Sequence, residues 1–211
     1  MLGNLGIIFS TTALLISFFL IYISLIEIKI LDNKISKKIY SLSFTQLTFS
    51  VLSFLILLVG YIFSDFSMIN VYENSHTTKP FFYKVSGTWG NHEGSLLLWI
   101  NILVIFSFLF LVFNKSKNKN FKIITLIFQN LLISVFFIFL LTNSNPFSRI
   151  FPIPNEGMGL NPILQDPALA IHPPLLYIGF VGASIYFSAA IASLLTNYSG
   201  KLFAQSIKNW V

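Results

Sequence analysis

The chain has 211 residues, of which 55% are hydrophobic, 17% aromatic and only 9% charged, against about 25% charged residues in soluble domains. Together with a mean hydropathy of +0.79, this excludes a soluble globular protein and points to an integral membrane protein. The net charge of +6 does not indicate a nucleic-acid partner, because the lysines sit in short links between apolar runs and not on a folded basic face. The absence of cysteine excludes a disulfide framework, a cysteine-held cluster and a thiol redox centre.

Five apolar runs, near residues 5–27, 40–64, 95–113, 123–142 and 174–196, are long enough to cross a hydrocarbon core, which takes about 20 helical residues. The expected fold class is all-α: a polytopic membrane helix bundle of about five transmembrane helices in one transmembrane domain, 1–211. The first run is too long for a signal-peptide core and lacks a basic leader and a small-residue cleavage site, so it is read as a retained helix.

Orientation follows from the cations. The link 28–39 carries Lys29, Lys34, Lys37 and Lys38, the link 114–122 carries Lys115, Lys117, Lys119 and Lys122, and the tail carries Lys201 and Lys208. Only Lys79, Lys84 and Arg149 lie in the other two links. By the positive-inside rule the N-terminus is expected outside and the C-terminus inside. The stretch 115–120 reads as a surface anchor touching anionic lipid headgroups. Abundant Phe, Ile, Leu, Lys, Asn and Ser resemble AT-rich codon usage, as in an organellar genome or an AT-rich bacterium.

The two outer links, roughly 65–94 and 143–173, are the longer ones and carry the polar motifs. In Gly87-Thr-Trp-Gly-Asn-His-Glu-Gly-Ser-Leu-Leu-Leu-Trp99, Trp89 and Trp99 suit the interfacial aromatic belt, and Gly94 and Ser95 permit close packing at the start of the third span. His92 and Glu93 are adjacent, so on a helix they point about 100° apart and cannot both face one small ligand. Glu93 is expected to orient a histidine or to pair with Lys84 or Arg149. His76 reads as a solvated loop residue.

The link 143–173 is stiffened by Asn-Pro and Asp-Pro steps, which fix turns through the proline ring and restrict the residue before it. Pro173 and Pro174 suit the first turn of the fifth helix, where their missing N–H groups have no intrahelical partner anyway. His172 is then expected at or before the N-cap, its ring across the membrane surface. Such an imidazole can hold a metal or a heme iron, or simply bond a neighbouring loop carbonyl, and the spacing leaves these open. Asp166 can cap a turn or orient His172. Gly179, Gly182, Ala183, Ala189 and Ala190 form a small-residue stripe suited to packing the fifth helix on another.

Taken together, Thr88-Trp-Gly-Asn-His-Glu-Gly-Ser-Leu-Leu-Leu-Trp99, Asn145-Pro-Phe-Ser-Arg149, Leu160-Asn-Pro-Ile-Leu-Gln-Asp-Pro167 and His172-Pro-Pro-Leu-Leu-Tyr-Ile-Gly179 resemble successive blocks of the CcmF family, in the family's order. CcmF is the heme lyase component of a multi-subunit cytochrome c maturation pathway in many bacteria and some mitochondria. The resemblance implies a membrane subunit of a heme lyase complex. That complex takes b-type heme in transit from a CcmE-like heme chaperone and positions it for thioether attachment to apocytochrome c, with a CcmH-like thiol reductant as a further partner. By the same resemblance His172 matches the first of two external histidines that serve as axial heme ligands, and Trp89, His92, Glu93, Asp166, Pro173 and Pro174 are supporting residues.

A CcmF-like chain is expected to continue into a tryptophan-rich WWD segment, a second external histidine and transmembrane histidines that hold a heme b. These are absent from the 211 residues, which run to Asn209-Trp-Val211 at the apparent start of a further span. One or more carboxy-terminal CcmF-like pieces are therefore expected partners, and catalysis by this chain alone is not expected. The reading is a mitochondrially encoded split form in the mitochondrial inner membrane, its motif links facing the intermembrane space, or a bacterial inner membrane if the chain is not organellar. The alternatives are a sister serving nitrite-reductase cytochromes, a membrane transporter, and a non-catalytic scaffold subunit of an assembly complex. The absence of charge at the helix centres counts against the transporter.

Overall fold

In the computed structural model, which describes residues 1–32 and 34–210, the chain is all-helical. Five stretches are long and apolar enough to span a membrane: α1 (Leu2–Ile28), α2 (Lys37–Ile62), α5 (His92–Phe113), α6 (Lys119–Asn143), and the segment Pro167–Thr196 built from α7 (Pro167–Gly182) and α8 (Ser184–Thr196). Two short helices, α3 (Ile69–Asn74) and α4 (Phe81–Gly87), lie in the link between α2 and α5, and α9 (Gly200–Ile207) follows α8. The five expected spans are present, but each begins earlier than hydropathy placed it. The reason is that helix ends are set by backbone caps, not by the first apolar side chain. Val211, at the expected start of a further span, lies outside the described residues.

The seam between α1 and α2 is rich in polar and small side chains, beside an apolar core that includes Leu57, Leu97, Ile100, Phe137 and Phe147. The buried face of α1 is Gly3, Gly6, Ser10, Ala13, Ser17, Leu20, Ser24 and Glu27, and that of α2 includes Ile39, Ser43, Gln46, Ser50, Ser53, Leu57 and Gly60. Both follow alternating steps of three and four, the heptad seam of two helices at close approach. Across it Ser10 and Ser53 share a 2.6 Å hydrogen bond, and Gln46 Nε2 donates to Ser17 Oγ (2.7 Å) and to Asn130 Oδ1 on α6 (2.9 Å). In hydrocarbon such groups must satisfy one another, so they bind α1, α2 and α6 together.

The expected stripe on the fifth span is only partly a packing face. Gly182 lies against the Phe106 ring and Ala189 is fully buried, whereas Ala190 is exposed and Gly179 has open space where a side chain would be. Gln129 of α6 holds the start of α8 by donating to Ser184 Oγ (2.8 Å) and accepting from Ser188 Oγ (2.9 Å).

At one end of the bundle the two long links are zipped together. Ile69 N donates to the Ser148 carbonyl (2.9 Å), Ile150 N to Ser67 (3.1 Å), Met158 N to Tyr72 (2.8 Å) and Gly159 N to Ser75 (3.0 Å). Thr77 adds its amide (2.9 Å) and its hydroxyl as donors to Glu156. At the opposite end the lysine-bearing links meet, and the expected free anchor at 115–120 is partly built in. Lys119 is buried, forms a 3.3 Å ion pair with Glu27 and donates to the carbonyls of Ile30 (3.3 Å) and Asp32 (2.9 Å).

Candidate functional site

The start of α5 shows why the first motif has its composition. Asn91 is the N-cap, its Oδ1 accepting from Gly94 N at 2.7 Å. A side chain at Gly94 would put its Cβ 1.8 Å from the Thr88 carbonyl oxygen, so only glycine lets the chain fold back this tightly. Ser95 Oγ donates to the Trp89 carbonyl (2.6 Å) and completes the turn. The close packing expected of Gly94 and Ser95 is thus made with the motif's own turn. Asn91 also donates to Tyr61 Oη (2.8 Å) and the Gly87 carbonyl (2.8 Å), while Asn70 Nδ2 donates to Asn91 Oδ1 (2.7 Å) and Glu93 Oε2 (3.1 Å).

Glu93 is therefore held by an amide. Its expected pairing with Lys84 or Arg149 is not formed, and Lys84 instead donates to Ser64 Oγ (2.9 Å). His92, the first residue of α5, is exposed and bonds Ser144 Oγ through Nε2 (3.1 Å). His76 bonds Thr78 Oγ1 (2.9 Å) and lies 3.8 Å from Glu156, a loop residue as expected. Lys79 donates to the Asn74 carbonyl (2.9 Å) beside this network, and burial, with Lys84 adding to it, lowers its pKa to about 8.

The second motif differs from expectation at its helix start. α7 begins at Pro167, with Asp166 as its N-cap accepting from Ala168 N (2.8 Å) and Leu169 N (3.1 Å). His172, Pro173 and Pro174 therefore lie in the second turn, and not at or before the cap. Asp166-Pro167 already supplies the cap and the leading proline, so the later prolines are interior. Asp166 serves as this cap through Oδ1 and makes no hydrogen bond to His172 among the described residues.

Interior prolines remove donors. Pro173 cannot bond the Leu169 carbonyl, nor Pro174 that of Ala170. Ala170 is 5% exposed, and its carbonyl instead accepts from Trp89 Nε1 at 2.8 Å. This contact joins the two motif blocks through the half-buried Trp89 indole. Trp99 is likewise packed, edge-on to Tyr177 (5.4 Å) and Phe180 (5.8 Å) of α7 and tilted against Phe136 (5.9 Å).

Between the blocks lies a cavity of about 340 Å³, lined among others by Trp89, His92, Leu164, Leu169, Pro173 and Tyr177. His172 does not line it; the residue is exposed, and among the described residues its ring makes no hydrogen bond. On its helical face follow Leu176, exposed, and Gly179, with nothing within 4 Å of a notional Cβ. Among the described residues no three His, Cys, Asp or Glu side chains cluster as a metal site. His172 and His92 are each single imidazoles.

The family description "Cytochrome C assembly protein" matches residues 89–210, more than half of the chain. The cytochrome c-type biogenesis protein CycK of Rhizobium meliloti is 48% identical over 155 residues, 74% of this chain and 23% of the relative. CcmF of Escherichia coli is 42% identical over 157 residues, 74% of this chain and 24% of the relative. NrfE of Haemophilus influenzae is 40% identical over 156 residues, 74% of this chain and 25% of the relative. The chain thus spans about a quarter of the length of the curated relatives it matches. In fold it is similar to a solved structure titled cytochrome c heme lyase CcmF, with a TM-score of 0.76 and 24% identity over 99% of this chain and 32% of that one. The matched segment contains Trp89, His92, Glu93, Asp166 and His172, and the chain belongs to the cytochrome c assembly protein family.

Proposed function

We propose that this chain is the motif-bearing part of a membrane complex that attaches heme to apocytochrome c, and that His172 is an axial ligand to the heme in transit. The observation that carries this reading is an exposed, unbonded imidazole on a helix face that has open space at Gly179 and an apolar shelf at Leu176. A porphyrin is flat and largely apolar, and neutral imidazole is a common ligand for its iron. Ligation on one axis orients the porphyrin edge toward an incoming Cys-x-x-Cys-His segment. Each cysteine thiol then adds its sulfur and hydrogen across a vinyl double bond, so a thioether forms with no leaving group. This chain's part is orientation, with the vinyl supplying the reactivity.

The remaining parts of the proposal follow from the family. Carboxy-terminal CcmF-like pieces supply the WWD segment and further histidines, a CcmE-like chaperone delivers heme, and a CcmH-like reductant keeps the acceptor cysteines reduced. The zipped link end faces the intermembrane space in a mitochondrial inner membrane, or the outer side of a bacterial inner membrane, as the ten lysines at the opposite end support.

The test is His172→Gly in a complementable organism, with covalent c-type heme read by peroxidase-active staining and apocytochrome quantified in parallel. Loss of covalent heme with the variant inserted and apocytochrome present is the expected result. Unchanged attachment overturns the ligand assignment and leaves a scaffold role.

A further inference from the structure

The lysine end carries a feature that heme attachment does not use. The links between α1 and α2 and between α5 and α6, with the starts of α2 and α6, border an open cleft of about 460 Å³ lined by Lys34, Lys117, Lys119, Lys122, Tyr40 and Ser116, with no acidic residue in its wall among the described residues. The nearby charges are unequal. Lys119 is ion-paired with Glu27 and donates to two backbone carbonyls. Lys122 is only 9% exposed, yet its ammonium has a single acceptor, the Asn114 carbonyl at 3.2 Å, and no ion-pair partner among the described residues.

A largely buried ammonium with one neutral acceptor is a costly arrangement unless an anion completes it. Lys34 and Lys117, both exposed, add two further cations to the same cleft. Next to it, sharing Ser116, Lys117 and Lys119, is a cavity of about 1000 Å³ whose wall includes Ile28, Leu31 and Leu202. Asp32 is the acid facing that larger space, and its Oδ1 accepts from Lys34 N at 3.0 Å.

We propose that this cleft is a binding site for a phosphate ester, with Lys122 and Lys117 as its principal cations. The cleft lies at the end of membrane-spanning helices, beside a cavity with an apolar wall. That places a phospholipid headgroup, its phosphate on the lysines and its glycerol and upper acyl chain along Leu31 and Leu202, ahead of a soluble phosphate. The site differs from diffuse attraction of a basic link to a charged surface because one lysine is buried and the cavity has a shape.

The test uses the full chain in phosphatidylcholine nanodiscs. Thermal midpoint and retained lipid are measured while phosphatidylglycerol is titrated in, and a separate arm adds inorganic phosphate. The expected result is a saturable rise in midpoint and retention of phosphatidylglycerol through delipidation, weakened roughly fivefold in apparent affinity by Lys122→Gln and again by Lys117→Gln. Lys38→Gln, which removes the same charge outside the cleft, leaves binding unchanged. Should Lys122→Gln not fold, Lys117→Gln on the exposed rim and the charge-keeping Lys122→Arg carry the comparison. A rise with inorganic phosphate alone, abolished by the cleft variants, supports the site and assigns it to a soluble anion. Equal effects of Lys38→Gln and the cleft variants, or no response to either probe, overturn the proposal.

Discussion

Trp89 and Ala170, 81 residues apart in sequence, are joined by a 2.8 Å hydrogen bond that replaces the backbone bond Pro174 cannot make. The proline pair and the tryptophan are thus two halves of one device. The prolines free a carbonyl inside a helix, and the indole of the other motif takes it, fixing the helix turn that carries His172.

Trp89→Phe keeps the ring and removes the donor, leaving the buried Ala170 carbonyl orphaned at a cost of about 1–3 kcal/mol. Covalent heme attachment is expected to fall about tenfold with the protein still inserted. Exogenous heme bound by the purified variant should show a broadened or weakened imidazole-ligated Soret band. An unaltered spectrum and unaltered attachment would show that the bond does not position His172.

Two glycines should respond in opposite ways. Gly94→Ala drives a Cβ to 1.8 Å from a backbone oxygen and should reduce folded protein severely. Gly179→Ala has open space and a helical backbone, so stability is expected to rise by up to about 1 kcal/mol. Gly179→Phe should fold and insert yet lower heme attachment, because the ring covers the face beside His172. Thermal midpoints in detergent, set beside heme staining, separate these outcomes.

Gln46→Leu removes the bridge between Ser17 and Asn130 at the centre of α1, α2 and α6. The expected loss is about 1 kcal/mol, the usual scale for such bonds inside membranes. Unfolding measured in mixed micelles checks it. Ser17→Ala combined with Gln46→Leu should cost less than the sum of the two single changes.

The clasp between Thr77 and Glu156 is pH-dependent. Hydrogen bonds from the Thr77 hydroxyl and amide, joined by the Gly157 amide and the charge of His76, lower the Glu156 pKa from its ordinary 4.5 to about 2. The folded form therefore binds this proton less readily than the unfolded form. The clasp's contribution is complete above pH 4.5 and is lost as pH falls toward 2. Amide exchange at Thr77 should accelerate across that window relative to neighbouring link amides, and Glu156→Gln should remove the step.

The five membrane-length spans were legible because a run of about 20 apolar residues has few other solutions, whereas the short helices α3, α4 and α9 carry no such run. Helix starts were not, since hydropathy reads side chains while Asn91 and Asp166 set the boundaries through backbone amides. The Asp166-Pro167 pair was the available sign that α7 opens before His172. The seam of α1 and α2 is also present in the sequence, as Gly, Ser and Ala at steps of three and four, but apolar length alone does not reveal it. Partners across the links, such as Glu93 with Asn70 or Trp89 with Ala170, are separated by 23 and 81 positions and leave no local pattern.

The fifth span has a wide apolar exterior: Leu175, Leu176, Ile178 and Phe180, then Phe187, Leu194 and Leu195. In water such a surface would drive aggregation, but acyl chains solvate leucine and phenylalanine about as well as another protein does. The helix bearing His172 can therefore rest against lipid at little energetic penalty and exchange that contact for a neighbouring helix without first unfolding. Under the proposed function, a partner piece would gain little from covering this face, so its docking would rest on shape and polar matching more than on apolar burial.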